Sequence, residues 1–70
     1  MTRSEVELIV RSVIRDYGIR SDITRIALFV EAWKIEVADI DGTRKTFTAF
    51  DSSPQNMRRS VMTAFGVEVQ

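Results

Sequence analysis

The chain has 70 residues with ten basic and ten acidic side chains, no cysteine and no histidine. Without cysteine there is no disulfide and no thiolate nucleophile, and without histidine the commonest general base and metal ligand are missing. The length suits one small α+β domain over residues 1–70, of a size at which a single core barely outweighs the entropy of folding.

No apolar run approaches the roughly 20 residues that cross a bilayer. Glu5 and Glu7 interrupt any signal-peptide core in "MTRSEVELIV", so the expected location is cytoplasmic. Charge is even along the chain: residues 1–22, 23–50 and 51–70 each sum to zero. A nucleic-acid binder usually carries a basic excess, because neutralised phosphates supply most of its affinity. The expected partner is therefore a protein or a second copy of the chain before it is a nucleic acid, and no membrane or metal partner is expected.

The first predicted element is a helix. Val6, Ile9, Val10, Val13, Ile14 and Tyr17 recur at helical spacing and form one apolar stripe. Ser4 is the expected N-cap, with Glu5 and Glu7 in the first turn. Gly18 suits the left-handed position after the helix, with Ile19 folding back on the last turn. Glu7, Arg11 and Arg15 make the opposite, solvated face.

Residues 23–31 alternate with period two and are rich in β-branched side chains, which predicts a strand. A helix capped by Ser21, with Ile23, Ile26, Ala27 and Val30 on one face, is the rival. Residues 33–39 alternate cleanly, with Trp33, Ile35 and Val37 on one side, and residues 43–50 read as a third strand. The last helix runs from Ser53 to about Phe65, with Pro54 at the favoured first position and Gly66 ending it. Its apolar face is Met57, Val61, Ala64 and Phe65, and Val67 and Val69 follow as a short extended tail.

The turn between the second and third strands sets which residues meet. A two-residue Asp41-Gly42 loop would set Ile35 against Thr48 and Glu36 against Phe47. A three-residue loop, Ile40-Asp41-Gly42, pairs Val37 with Lys45, Ile35 with Phe47 and Trp33 with Ala49, and puts Gly42 where a left-handed residue is required. The three-residue loop is the prediction. For the first hairpin, a four-residue turn centred on Glu31-Ala32 pairs Leu28 with Ile35 and Ile26 with Val37.

The expected fold is a two-layer helix-strand-strand-strand-helix domain, with both helices on one face of a three-stranded antiparallel meander. Its inner face comprises Ile26, Leu28, Val30, Trp33, Ile35, Val37, Phe47 and Ala49. The expected buried set joins Trp33, Ile35, Leu28 and Phe47 to Val10, Ile14, Val61 and Phe65.

Motifs for chemistry are weak. "DIDG" (39–42) opens like a calcium loop, but Lys45 and Phe50 fall where ligands belong, so turn chemistry is the better reading. Glu31, Glu36, Asp39 and Asp41 read as solvated carboxylates rather than an acid–base pair. Ser52-Ser53 reads as a helix cap, Arg58-Arg59 as a solvated edge, and Met57 and Met62 as core filling. No catalytic residue, cofactor or metal ligand is assigned, and no enzymatic activity is expected.

The element order is shared with double-stranded-RNA-binding domains. That family reads two minor grooves through its first helix, a strand-connecting loop and basic residues opening the last helix. Here the first strand loop is minimal and the last helix opens "SSPQNM", so the similarity is one of order and carries no function.

One surface stands out. The outer sheet face is mostly polar, except for Phe29 and Phe50 at the same end, among Arg25, Lys34 and Arg44. These five residues are the candidate partner-binding site. The first reading is a non-enzymatic interaction module that forms a homodimer, since aromatics rimmed by charge are typical of interfaces. The second is nucleic-acid binding, with the aromatics stacking on bases and the cations holding the backbone.

Overall fold

A computed structural model describes residues 1–67 of the chain. The elements run α1 (Arg3–Asp16), β1 (Ser21–Phe29), β2 (Ala32–Asp39), β3 (Arg44–Phe50) and α2 (Pro54–Ala64). The strands form one antiparallel sheet in the order β1-β2-β3. Helix α1 packs on β1, α2 packs on β3, and the helices touch each other. This is the expected α+β arrangement. Val69 lies outside the described residues.

Helix α1 starts earlier than expected, because Thr2 and not Ser4 is its N-cap. The Thr2 hydroxyl accepts the Glu5 N–H at 3.2 Å, and the Glu5 carboxylate accepts the Thr2 N–H at 3.0 Å. Both Thr2 and Ser4 have a glutamate three residues on, so both could close this reciprocal box. Starting at Thr2 lengthens the helix and leaves Glu7 to accept from Arg11 at 3.1 Å. At the other end Ile19 N–H reaches Ile14 C=O at 2.9 Å and Gly18 N–H reaches Arg15 C=O, with Gly18 at φ 62°. Those two bonds satisfy carbonyls that the helix leaves open. Helix α2 ends the same way through Gly66 and Val67, and Ser53 caps its start by accepting the Asn56 N–H.

The β2–β3 hairpin has the predicted register, with Val37 opposite Lys45, Ile35 opposite Phe47 and Trp33 opposite Ala49. Asp39 N–H donates to Thr43 C=O at 2.7 Å across the loop, and Gly42 sits at φ 89°. The Asp41 carboxylate accepts the Thr43 N–H at 2.9 Å, so the aspartate serves the turn.

The first hairpin differs from expectation. Leu28 faces Trp33 and Ile26 faces Ile35, a two-residue shift that keeps each side chain on its expected face. The loop is only Val30-Glu31, and Val30 takes φ 57°. A β-branched residue resists that conformation. The tight turn adds the Phe29–Ala32 pair to the ladder, and that gain offsets the local strain. Further along, a bulge at Thr24 breaks the register between Ile23 and Arg25. It turns the apolar Ile23 toward the helices where strict alternation would have put Thr24.

The core joins Val6, Val10 and Val13 of α1, Ile26, Trp33, Ile35, Val37 and Ala49 of the sheet, and Met57, Val61 and Met62 of α2. Ile14, Phe47 and Phe65 pack against it half-buried. Leu28, expected in the core, is 51 % exposed, and Val30, expected on the inner face, is 95 % exposed, because the helices do not cover the tip of the first hairpin. Phe47 and Phe65 meet edge to face at 5.5 Å.

Candidate interaction surface

The side of the sheet away from the helices carries no covering layer among the described residues. Its side chains fall into cross-strand rows set by the pairing: Phe29–Ala32–Phe50, then Ala27–Lys34–Thr48, then Arg25–Glu36–Thr46, then Asp22–Ala38–Arg44. In the first row two exposed phenylalanines flank an alanine. With strands about 4.8 Å apart the two phenylalanines lie one strand to either side of Ala32. Phe29 is 58 % and Phe50 77 % exposed.

The five candidate residues do not form one patch. Phe29, Phe50 and Lys34 gather at one end, with the Lys34 ammonium 5.9 Å from the centre of the Phe29 ring. Arg25 lies roughly 13 Å further along and Arg44 roughly 20 Å, at about 3.3 Å per residue. Arg44 is 3.8 Å from Glu36, whose carboxylate also accepts the Thr24 hydroxyl at 2.8 Å. Arg25 is exposed, pairs with Glu36 in the ladder, and makes no ion pair among the described residues. The middle of the face is thus a charge-balanced polar cluster, and the apolar end stands apart from it.

The apolar end is larger than the alternation pattern indicated. Leu28, Phe29 and Val30 are three consecutive exposed apolar residues wrapping the hairpin tip. Alternation divides them between two faces, which hides the cluster. The sequence signal that reveals it is the run "ALFV" (27–30) directly before a turn lacking glycine. Val30 adds backbone strain in a place where function often keeps it.

Several other charged groups hold elements of the fold together. Arg58 donates to the Ser12 hydroxyl at 2.8 Å and to Asp16 at 3.0 Å, tying α2 to α1. The expectation of a solvated edge therefore holds for Arg59 and fails for Arg58, because an arginine is long enough to bridge adjacent helices. Hydrogen bonding from Arg58 is the main reason the Asp16 carboxyl lies below its ordinary value. The Trp33 indole N–H donates to Asp51 at 3.2 Å, and that bond is the main cause of the lowered Asp51 carboxyl. Lys45 of β3 donates to the Ala64 carbonyl at the end of α2, where the helix dipole favours a cation. A cleft of about 280 Å³ opens beside it, lined by Ile19, Val37, Asp39 and Phe65 among others. Its two charged groups are already engaged, Lys45 by Ala64 and Asp39 by the Ser21 hydroxyl.

No helix among the described residues is long and apolar enough to cross a membrane. Comparisons with protein-family models, with curated proteins and with solved structures return no match.

Proposed function

We propose that the protein is a non-enzymatic interaction module that associates with a second copy of itself through the open side of its sheet. The observation that carries this reading is the Phe29–Ala32–Phe50 row on a face that none of the described residues covers. Charge does not bar a like partner. The chain is neutral, and the face carries a small positive excess, Arg25, Lys34 and Arg44 against Glu36 and Asp22, so repulsion between two copies is weak and screened by salt. Burying two phenylalanines contributes about 1.5–3 kcal/mol each, against an association cost of several kcal/mol. The expected complex is weak to moderate and dissociates on dilution.

Sedimentation over a concentration series tests the proposal. Wild type should show reversible, concentration-dependent self-association, and Phe29→Ser with Phe50→Ser should weaken it while leaving the melting temperature nearly unchanged. A wild type that stays monomeric at every concentration overturns the reading. Binding of a single-stranded oligonucleotide that weakens steeply with salt would favour the nucleic-acid alternative instead.

A further inference from the structure

The hydrogen-bond phase of the sheet shows which backbone groups face outward. Asp39 N–H bonds Thr43 C=O at one end of the β2–β3 ladder, and Asp51 N–H bonds Glu31 C=O at the other. Pairs that exchange hydrogen bonds recur every second residue. In β3, then, Lys45, Phe47 and Ala49 bond to β2, while Arg44, Thr46, Thr48 and Phe50 direct their N–H and C=O groups away from the sheet. Among the described residues only the Phe50 carbonyl finds a partner, the Ser52 hydroxyl at 3.3 Å.

The two edges of the sheet are unlike. The β1 edge carries a bulge at Thr24, which disrupts pairing with another strand. The β3 edge is a regular run of seven residues with no bulge, proline or glycine. Lysine commonly guards such an edge, but Lys45 is turned back to the Ala64 carbonyl. Thr46 and Thr48 are exposed at its centre.

We infer that β3 is a strand-pairing site whose occupant is β3 of a second copy, running antiparallel. The strand is complementary to itself about Phe47. A two-fold axis there sets Thr46 against Thr48 of the second copy, Lys45 against Ala49, and Arg44 against Phe50. It pairs outward-facing groups with outward-facing groups and brings no like charges opposite. The two sheets become one of six strands. The inference rests on the self-association proposed above and adds a contact at a different surface: the continuous sheet sets the two open faces side by side, so the edge contact joins two copies and face-to-face packing joins such pairs. Phe50 belongs to both contacts, whereas Phe29 lies two strands from the β3 edge.

Thr46→Pro separates the two. Its N–H points outward, so proline there leaves the β2–β3 ladder intact and removes two of the bonds across the two-fold axis. The dimer dissociation constant should rise on the order of 10- to 100-fold, with Phe29→Ser alone leaving the edge contact in place. A wild-type measurement stands beside it: amide hydrogen exchange at Thr46 and Thr48, compared at concentrations above and below dimerisation. Protection appearing at those two amides only when the protein is concentrated supports strand pairing, whatever the stability of the proline variant. A dimer that leaves both amides exchanging freely, or that Thr46→Pro does not weaken although the variant folds, overturns the inference while self-association stands. A protein monomeric at all concentrations overturns both.

Discussion

Ile35 lies directly opposite Phe47 in the β2–β3 ladder, and Gly42, at φ 89°, is what puts it there. The three-residue loop ends in a left-handed residue, and a one-residue change of loop would move every β3 side chain to the other face. A Cβ at Gly42 would meet nothing within 4 Å, so substitution acts through the backbone alone. Gly42→Val should destabilise by about 1–2 kcal/mol. A denaturation midpoint equal to wild type would show that this turn does not depend on a left-handed residue.

Val30 presents the converse case. It holds φ 57° with a β-branched side chain that is 95 % exposed and so contributes little packing. Val30→Gly relieves the steric conflict while raising the entropy of the unfolded chain, which offsets part of the relief and leaves a net gain of about 0.5–1 kcal/mol. Urea unfolding of the two proteins measures this. If the interface includes the hairpin tip, the same variant weakens self-association while melting higher, and the opposite signs distinguish a binding role from a structural one.

Burial orders the core substitutions differently from side-chain size. Met57 is fully buried, whereas the larger Phe65 is half-buried at the end of α2. Met57→Ala should destabilise by about 2–5 kcal/mol, and Phe65→Ala by less than about 3. Thermal melts of the two variants should place Met57→Ala lower.

The bridge from Arg58 to Asp16 couples the two helices through partly exposed groups. A double-mutant cycle with Arg58→Met and Asp16→Asn should give a small favourable coupling that falls with added salt. A coupling of zero would mean that this ion pair does not help hold α2 against α1.

Stability should fall in acid and stay flat near neutrality. Glu5, Asp16, Asp41 and Asp51 all lie below their ordinary values of 4.5 and 3.8, chiefly through hydrogen bonds from Thr2, Arg58, Thr43 and Trp33 respectively. A carboxyl whose pKa is lower in the folded state stabilises fully above its unfolded value, and that contribution disappears as pH falls through the folded one. Melting temperatures should therefore decline as pH drops below about 4.5 and change little between about pH 5 and 8, where no histidine titrates. A melting temperature that rises on acidification would contradict these hydrogen bonds.

Local chemistry made much of the fold legible. The apolar stripe of α1, Pro54 and Ser53 at the start of α2, Gly18 and Gly66 at the helix ends, and Gly42 in the second hairpin each act within a few residues, and each has the role expected of it. The first hairpin could not be read that way. Its sequence has no glycine to impose a turn, so the loop length was decided by how much strand pairing could form, even with Val30 strained. The bulge at Thr24 serves the contact of Ile23 with the helices, which are distant in sequence. Arg58 and Lys45 likewise acquired partners only because α2 folds against α1 and β3. At the candidate surface, alternation in the sequence sufficed to set Phe29 and Phe50 on the open face, since side-chain direction in a strand is local. Their alignment across Ala32, and the exposure of Leu28 and Val30 beside them, were decided by the register of three strands and by where the helices stop, which depend on packing across the whole domain.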